Sequence, residues 1–258
     1  MVQQYDPFPY FPTEDELPDS DNQPVDNELQ LLLPILLRAI LLIAWADRPN
    51  WFMGANLGLY YHPNDPAIGP DAFLSLGVPR IRPNGKLRLS YVVWQENDVM
   101  PQWVLEIVSR KTGGEYSSKF KLYAEMGVLY YTIYNPDHWR RDKHDPFEVY
   151  RLIDGSYVRQ AGNPIWMPEI GLGIGVERGN HNGYLMDWLY WYNEQGERLP
   201  APENILQQER QRAEQERQRA EQAEQRASIA ERQIEQERRL REELLNKLRQ
   251  RGIDPEEL

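Results

Sequence analysis

The sequence predicts an α/β domain, a mixed sheet with flanking helices, followed by one long charged helix. Three observations carry this. Between residues 26 and 200, short apolar runs bounded by Gly and Pro alternate with stretches of helical spacing. One run, Trp103-Val104-Leu105-Glu106-Ile107-Val108, is apolar except for a single acid, as a buried strand is. Beyond Pro200 apolar residues thin out and a seven-residue repeat takes over. Three regions follow: an acidic arm over 1–25 rich in Pro, Asp and Glu and expected to be mobile, a domain over 26–200, and a helical tail over 201–258.

In order, Leu29, Leu32, Leu33, Leu36, Leu37 and Ile40 recur at helical spacing, with Asp26 as the expected N-cap and Pro34 as a kink or break. The residues from Trp51 to Tyr61 read as one strand interrupted by Gly54 and Gly58, and 62–66 as a turn. Strands are expected over 71–76, 89–94 and 103–108, with an exposed loop over 80–88. A short helix over 118–126 is stopped by Gly127, and a strand runs from Val128 to Tyr134. Asp154-Gly155 joins 147–152 and 156–160 as a hairpin. Gly171-Leu172-Gly173-Ile174-Gly175 is read as a turn, and 185–191 as a helical or mixed closing segment. From Glu209, repeats such as ERQRAEQ form a helix of about forty residues, roughly 60 Å long. Its seam of Leu206, Ala213, Ala220, Ala227 and Ile234 is thin, so it reads equally as a solvated single helix or as a coiled coil pairing two copies over 209–250.

Composition removes several function classes. The chain has 258 residues and no cysteine, which excludes disulfides, thiolate metal sites and a cysteine nucleophile and fits a cytoplasmic location. The N-terminus lacks the basic start and apolar core of a secretory signal. The most apolar run, 29–46, is interrupted by Pro34 and Arg38 and is expected to be a buried helix, with no membrane partner. Net charge is -11, but residues 51–200 hold seventeen acids against fifteen bases and are nearly neutral. A general nucleic-acid coat needs clustered cations, so such a role is disfavoured. Four histidines, His62, His138, His144 and His181, show no zinc spacing, and no phosphate-loop or nucleophile-elbow motif is present.

Two acids stand out. Asp71 follows Pro70 at the start of a strand, and Glu106 interrupts an apolar one. A buried carboxylate is costly without a partner. Either the two form a hard oxygen site suited to Mg²⁺ or Glu106 pairs with a buried Lys or Arg.

GPDAF, WVLEIVS and GGEYSSKFKLYAEMGVLYYTIYNP, in this order and spacing, resemble the Uma family of restriction endonucleases within the PD-(D/E)XK nuclease superfamily, over residues 26–180. The resemblance implies a restriction-endonuclease-like fold. It implies that Asp71 and Glu106 bind Mg²⁺ or Mn²⁺ with the Ile107 carbonyl as third ligand. It implies that the chain hydrolyses phosphodiester bonds in DNA. The superfamily's lysine two residues after the second acid is replaced by Val108. In the Uma pattern a lysine four residues before a tyrosine stands in; Lys119, four before Tyr123, fits, and Lys121 is its competitor on another helix face. Glu115 matches a usual acid of that helix. Arg110 and Lys111 are loop cations placed to touch phosphate, and Glu28 is a further acid on the first helix. The rival expectations are a nuclease fold without catalysis that binds DNA, and an assembly module acting through the C-terminal helix.

Overall fold

The computed structural model describes residues 10–18 and 27–250. Asp26 and most of the expected arm, residues 1–9 and 19–25, lie outside them, as do residues 251–258. The described stretch of the arm is held by the domain. The Pro12 carbonyl accepts the Trp94 indole N–H at 2.8 Å, and Glu14 accepts the Leu89 N–H at 3.1 Å and pairs with Arg82.

The chain divides into two compact units, Met1–Pro202 and Glu203–Leu258. The first opens with helix α1, Glu28–Ala44, capped by the side chain of Asn27, which accepts from Gln30 N. Pro34 neither breaks nor divides α1. The residues read as one interrupted strand form two, β1 (Trp51–Ala55) and β2 (Leu59–Tyr60), in different sheets. The separation follows from Asn56, whose φ of 47° takes the chain out of extended geometry. Next come β3 (Ala72–Leu76), β4 (Tyr91–Val92) with a 3-10 turn over Val93–Gln95, β5 (Trp103–Ile107), helix α2 (Ser118–Glu125) and β6 (Tyr130–Tyr134). A short helix α3, Trp139–Asp142, precedes the hairpin of β7 (Phe147–Ile153) and β8 (Ser156–Arg159). Asp154 and Gly155, with φ of 47° and 77°, make its turn.

Six strands pair in the order β1-β3-β5-β6-β7-β8. Only β5 and β6 are parallel, joined by α2 as the crossover that parallel pairing requires. Alternation along β5 sends Trp103, Leu105 and Ile107 into one core cluster with α1 and sends Val104 and Val108 into the other. Glu106 shares the face of Val104 and Val108.

The closing segment is a second correction. Tyr184–Tyr192 is strand β11, not a helix, in a three-stranded sheet with β9 (Ile165–Met167) and β10 (Leu172–His181). Every residue from Trp188 to Tyr192 is buried, so no two-residue alternation marks the run as a strand. The stretch Leu172–Gly175 likewise lies within β10 rather than a turn; only Gly171, at φ 76°, turns the chain. In the unit Glu203–Leu258 the described residues all belong to helix α4. That helix starts at Pro202, the favoured place for proline, and runs for 49 residues to Gln250, about 74 Å. Leu206, Ile229, Ile234, Leu240 and Leu244 are exposed along it. Among the described residues no helix is long and apolar enough to cross a membrane.

The sheet core contains one polar bond that tests this packing. Trp103 Nε1 donates to Thr132 Oγ1 at 2.8 Å, with the Trp103 ring edge-on to Trp191 at 4.8 Å. Thr132→Val keeps the shape and strands the buried indole N–H. It should lower stability by about 1–3 kcal/mol in urea denaturation; an unchanged midpoint would contradict the packing.

Candidate active site

The site is built where β3, β5 and α2 meet. In the antiparallel register of β3 and β5, Ala72 faces Leu105. Asp71 and Glu106 each lie one residue beyond that pair, so the strand pairing alone sets the two acids side by side. Asp71 Oδ2 accepts the Ile107 backbone N–H at 2.6 Å. Glu106 accepts from Lys119 Nζ at 2.7 Å through Oε2 and from the Tyr123 hydroxyl at 2.6 Å through Oε1. Lys119 and Tyr123 are four apart on α2 and therefore present the same face to one carboxylate. Glu106 thus pairs with a lysine, as one of its two readings expected, and that lysine is the candidate catalytic one.

Burial governs the electrostatics. Asp71 is 7% exposed and Glu106 2%. Burial first, then the neighbouring charge of Glu106, pushes the Asp71 carboxyl up to about 8, against the opposing pull of the Ile107 N–H, Lys119 and Gln30. Burial also raises Glu106, and Lys119 and Tyr123 offset only part of this. For Lys119 burial works against the charge, but Glu106 and Asp71 outweigh it and hold the ammonium charged.

Two residues that the sequence did not single out complete the site. Pro34 has no N–H, so the carbonyl of Gln30, four residues earlier, loses its helical partner. The Asn56 side-chain amide donates to that carbonyl at 3.1 Å, and Asn56 N donates to the Asp71 carbonyl at 3.1 Å. The Gln30 side chain in turn donates to the Ile107 carbonyl at 3.2 Å and bonds to Asp71. A proline inside a helical pattern is the signal that could have pointed to Gln30.

The other predicted residues lie outside this network. Lys121 is exposed, on another face of α2. Glu115 turns back to accept the Gly113 N–H at 2.9 and 3.0 Å. Glu28 lies near the Tyr184 hydroxyl, at 3.3 Å. Arg110 and Lys111 are exposed on the loop that follows β5.

The groups that could hold a cation are the carboxylates of Asp71 and Glu106 and the Ile107 carbonyl, all hard oxygens. This set suits Mg²⁺ or Mn²⁺, with water completing the shell, and does not suit zinc or copper. Asp71 supplies the physical argument for the fit: it is buried beside a second acid, and a bound cation would relieve it. Among the described residues no group of three or more His, Asp or Glu clusters as a metal site, so the carbonyl would have to serve as third ligand.

The model of the Uma2 family, described as "Putative restriction endonuclease", matches residues 21–178. Among solved structures, a "putative nuclease belonging to DUF820" from Anabaena variabilis aligns with 61% of this chain and 89% of its own, at 15% identity and a TM-score of 0.41. No curated protein matches the chain.

An acid whose pKa in the fold lies above its unfolded value contributes stability at low pH that is lost as the pH rises toward the folded pKa. In EDTA, then, the wild-type protein should lose stability between about pH 4 and 8, the interval between the ordinary aspartate value and the raised one. Asp71→Asn should flatten that loss and melt higher than wild type at pH 8.5, while the two coincide below about pH 4. Thermal denaturation at both pH values checks this; a variant that melts lower at pH 8.5 would overturn it.

Proposed function

The chain belongs to the Uma2 family, and from that premise we propose that it is a divalent-metal-dependent endodeoxyribonuclease centred on Asp71, Glu106 and Lys119. The observation that carries this reading is the 2.7 Å approach of Lys119 Nζ to Glu106 Oε2. Val108 stands where the superfamily pattern has its lysine, and α2 returns a lysine to the same carboxylate.

Asp71, Glu106 and the carbonyl of Ile107 would hold Mg²⁺ or Mn²⁺. When bound, the cation supplies Lewis-acid polarisation of the phosphate and a lowered pKa for bound water. The chain's own groups do the rest. Tyr123 holds one oxygen of Glu106 and fixes its orientation. Gln30 engages one lone pair of the Ile107 carbonyl and leaves the other free. Lys119, charged and only 25% exposed in its side chain, can orient the attacking water or stabilise charge on the phosphoryl oxygens.

One observation favours a second reading, a nuclease fold that binds DNA without cutting it. Both oxygens of Glu106 already have protein donors, so a metal must compete with them. Incubation of the purified chain with supercoiled DNA separates the two. Nicking or cutting is expected with Mg²⁺ or Mn²⁺ and not in EDTA. Asp71→Ala and Glu106→Ala should abolish it, Lys119→Met should lower kcat by about 100-fold or more, and Lys121→Ala should leave it within about threefold. Metal-dependent cleavage persisting in both acid variants would sink the catalytic assignment.

The same reading has two copies paired through residues 209–250. Support comes from the exposed Leu206 and Ile234, which sit in one heptad seam with Ala213, Ala220 and Ala227. Sedimentation equilibrium should show a dimer for the full chain and a monomer for residues 1–202. An unchanged state after truncation would remove α4 from self-association.

A further inference from the structure

An acidic protein that cuts DNA must bind a polyanion despite a net charge of -11. The structure exposes cations on the loop after Glu106 and on the short helix tied to that loop. Arg110 and Lys111 are exposed on the loop leaving β5, within five residues of Glu106. Arg140 on α3 and Lys143 at its C-terminus are exposed as well. None of these four is in an ion pair among the described residues; Arg140 lies over the Trp139 ring at 4.9 Å.

The two segments are locked together. Arg141 donates to the Arg110 carbonyl at 2.7 Å and the Ser109 carbonyl at 3.5 Å while gripping Asp142 at 2.7 and 2.8 Å. Buried Asn135 donates to Asp142 at 2.9 Å and Tyr116 at 3.2 Å and accepts the His138 N–H at 2.9 Å. Tyr116, just before α2, stacks on His144 at 3.7 Å. Thus α3, the loop after Glu106 and the entry to the helix carrying Lys119 form one block. Nearby acids are engaged: Asp142 with Arg141, Asp145 with Arg159, and Glu115 with the Gly113 N–H. Asp137 is the exposed exception.

We propose that Arg110, Lys111, Arg140 and Lys143 form a clamp on the phosphate backbone of DNA, steering the strand to the Asp71–Glu106–Lys119 site. This rests on the nuclease reading and names how that site takes its substrate. Arg141, Asp142 and Asn135 tie together the backbone segments that carry the four cations, and none of the four side chains pairs with a carboxylate among the described residues, so phosphate meets no internal competitor there.

Fluorescence anisotropy of a labelled DNA duplex with the full-length protein in Ca²⁺, over a range of salt, tests this. Arg110→Ala/Lys111→Ala and Arg140→Ala/Lys143→Ala should each flatten the slope of log affinity against log salt by about 2, one for each phosphate no longer neutralised. Arg38→Ala/Lys86→Ala, which removes exposed cations elsewhere, should leave it unchanged. Slopes equal to wild type in both site pairs, or an equal fall in the control, would overturn the clamp while leaving cleavage by the wild type to stand. A wild-type protein that neither binds nor cuts DNA would overturn clamp and nuclease reading together.

Discussion

A carboxylate sits in the middle of the sheet, in a strand whose five residues are all buried. Glu106 shares its face with Val104 and Val108, and hydrocarbon there would leave its charge unsupported. Much of the surrounding architecture answers that requirement. Helix α2 must dock so that Lys119 and Tyr123, one turn apart, reach the two oxygens of one side chain. The crossover from β5 to β6 therefore has to bring a helix back over this face. Glycines flank the helix where sharp turns are needed: Gly114 and Gly127 at φ 87° and 79°. Breaking such a pair leaves an uncompensated buried charge. The same bonds that hold the strand and helix together also form the candidate catalytic group.

Asp71 has no such cation of its own. Its carboxyl is raised to about 8 because burial beside Glu106 is only partly offset. The surrounding frame holds it there, as is common where function is built. The frame is traceable. Proline in α1 frees a carbonyl, Asn56 takes it, and Asn56 also holds the backbone of Asp71. Gln30 then bridges α1 to the Ile107 carbonyl. A local defect in a helix thereby becomes the tie between the helix and the site. The left-handed Asn56 both ends β1 and supplies this link, so the split of the first strand and the placement of Asp71 have one cause.

Charge is distributed with similar economy. The domain is close to neutral, yet Arg110, Lys111, Arg140 and Lys143 have no ion-pair partner among the described residues, while Asp142 and Asp145 nearby are paired with arginines. Arg141 contributes by bonding backbone carbonyls, which holds a loop without neutralising it. A short helix of four residues, too brief to show any periodicity, thereby organises the surface around the site.

Where the linear pattern was informative, burial and local chemistry explain why. The apolar stripe of α1, the Asp154-Gly155 hairpin, the lone acid of β5 and the long repeat of α4 each follow from spacing within one segment. The block order around Asp71, Glu106 and Lys119 was also legible, because motif residues keep their neighbours in sequence. Strand β11 was not legible, since its stretch Trp188–Tyr192 is buried at every position and has no period, although Asn182-Gly183 before it is a hairpin turn with φ of 52° and 88°. Gln30 and Asn56 were not legible because each acts on a segment far along the chain. Spacing from Tyr123 favoured Lys119 as the lysine that meets Glu106, with Lys121 as its competitor. Lys119 and Lys121 differ by two residues, and only the docking of α2 on the sheet puts one against the carboxylate and the other in solvent. Sequence order thus set the segments and the chemistry each one carries, whereas burial and partnership, which depend on residues remote in the chain, arose only when the segments packed.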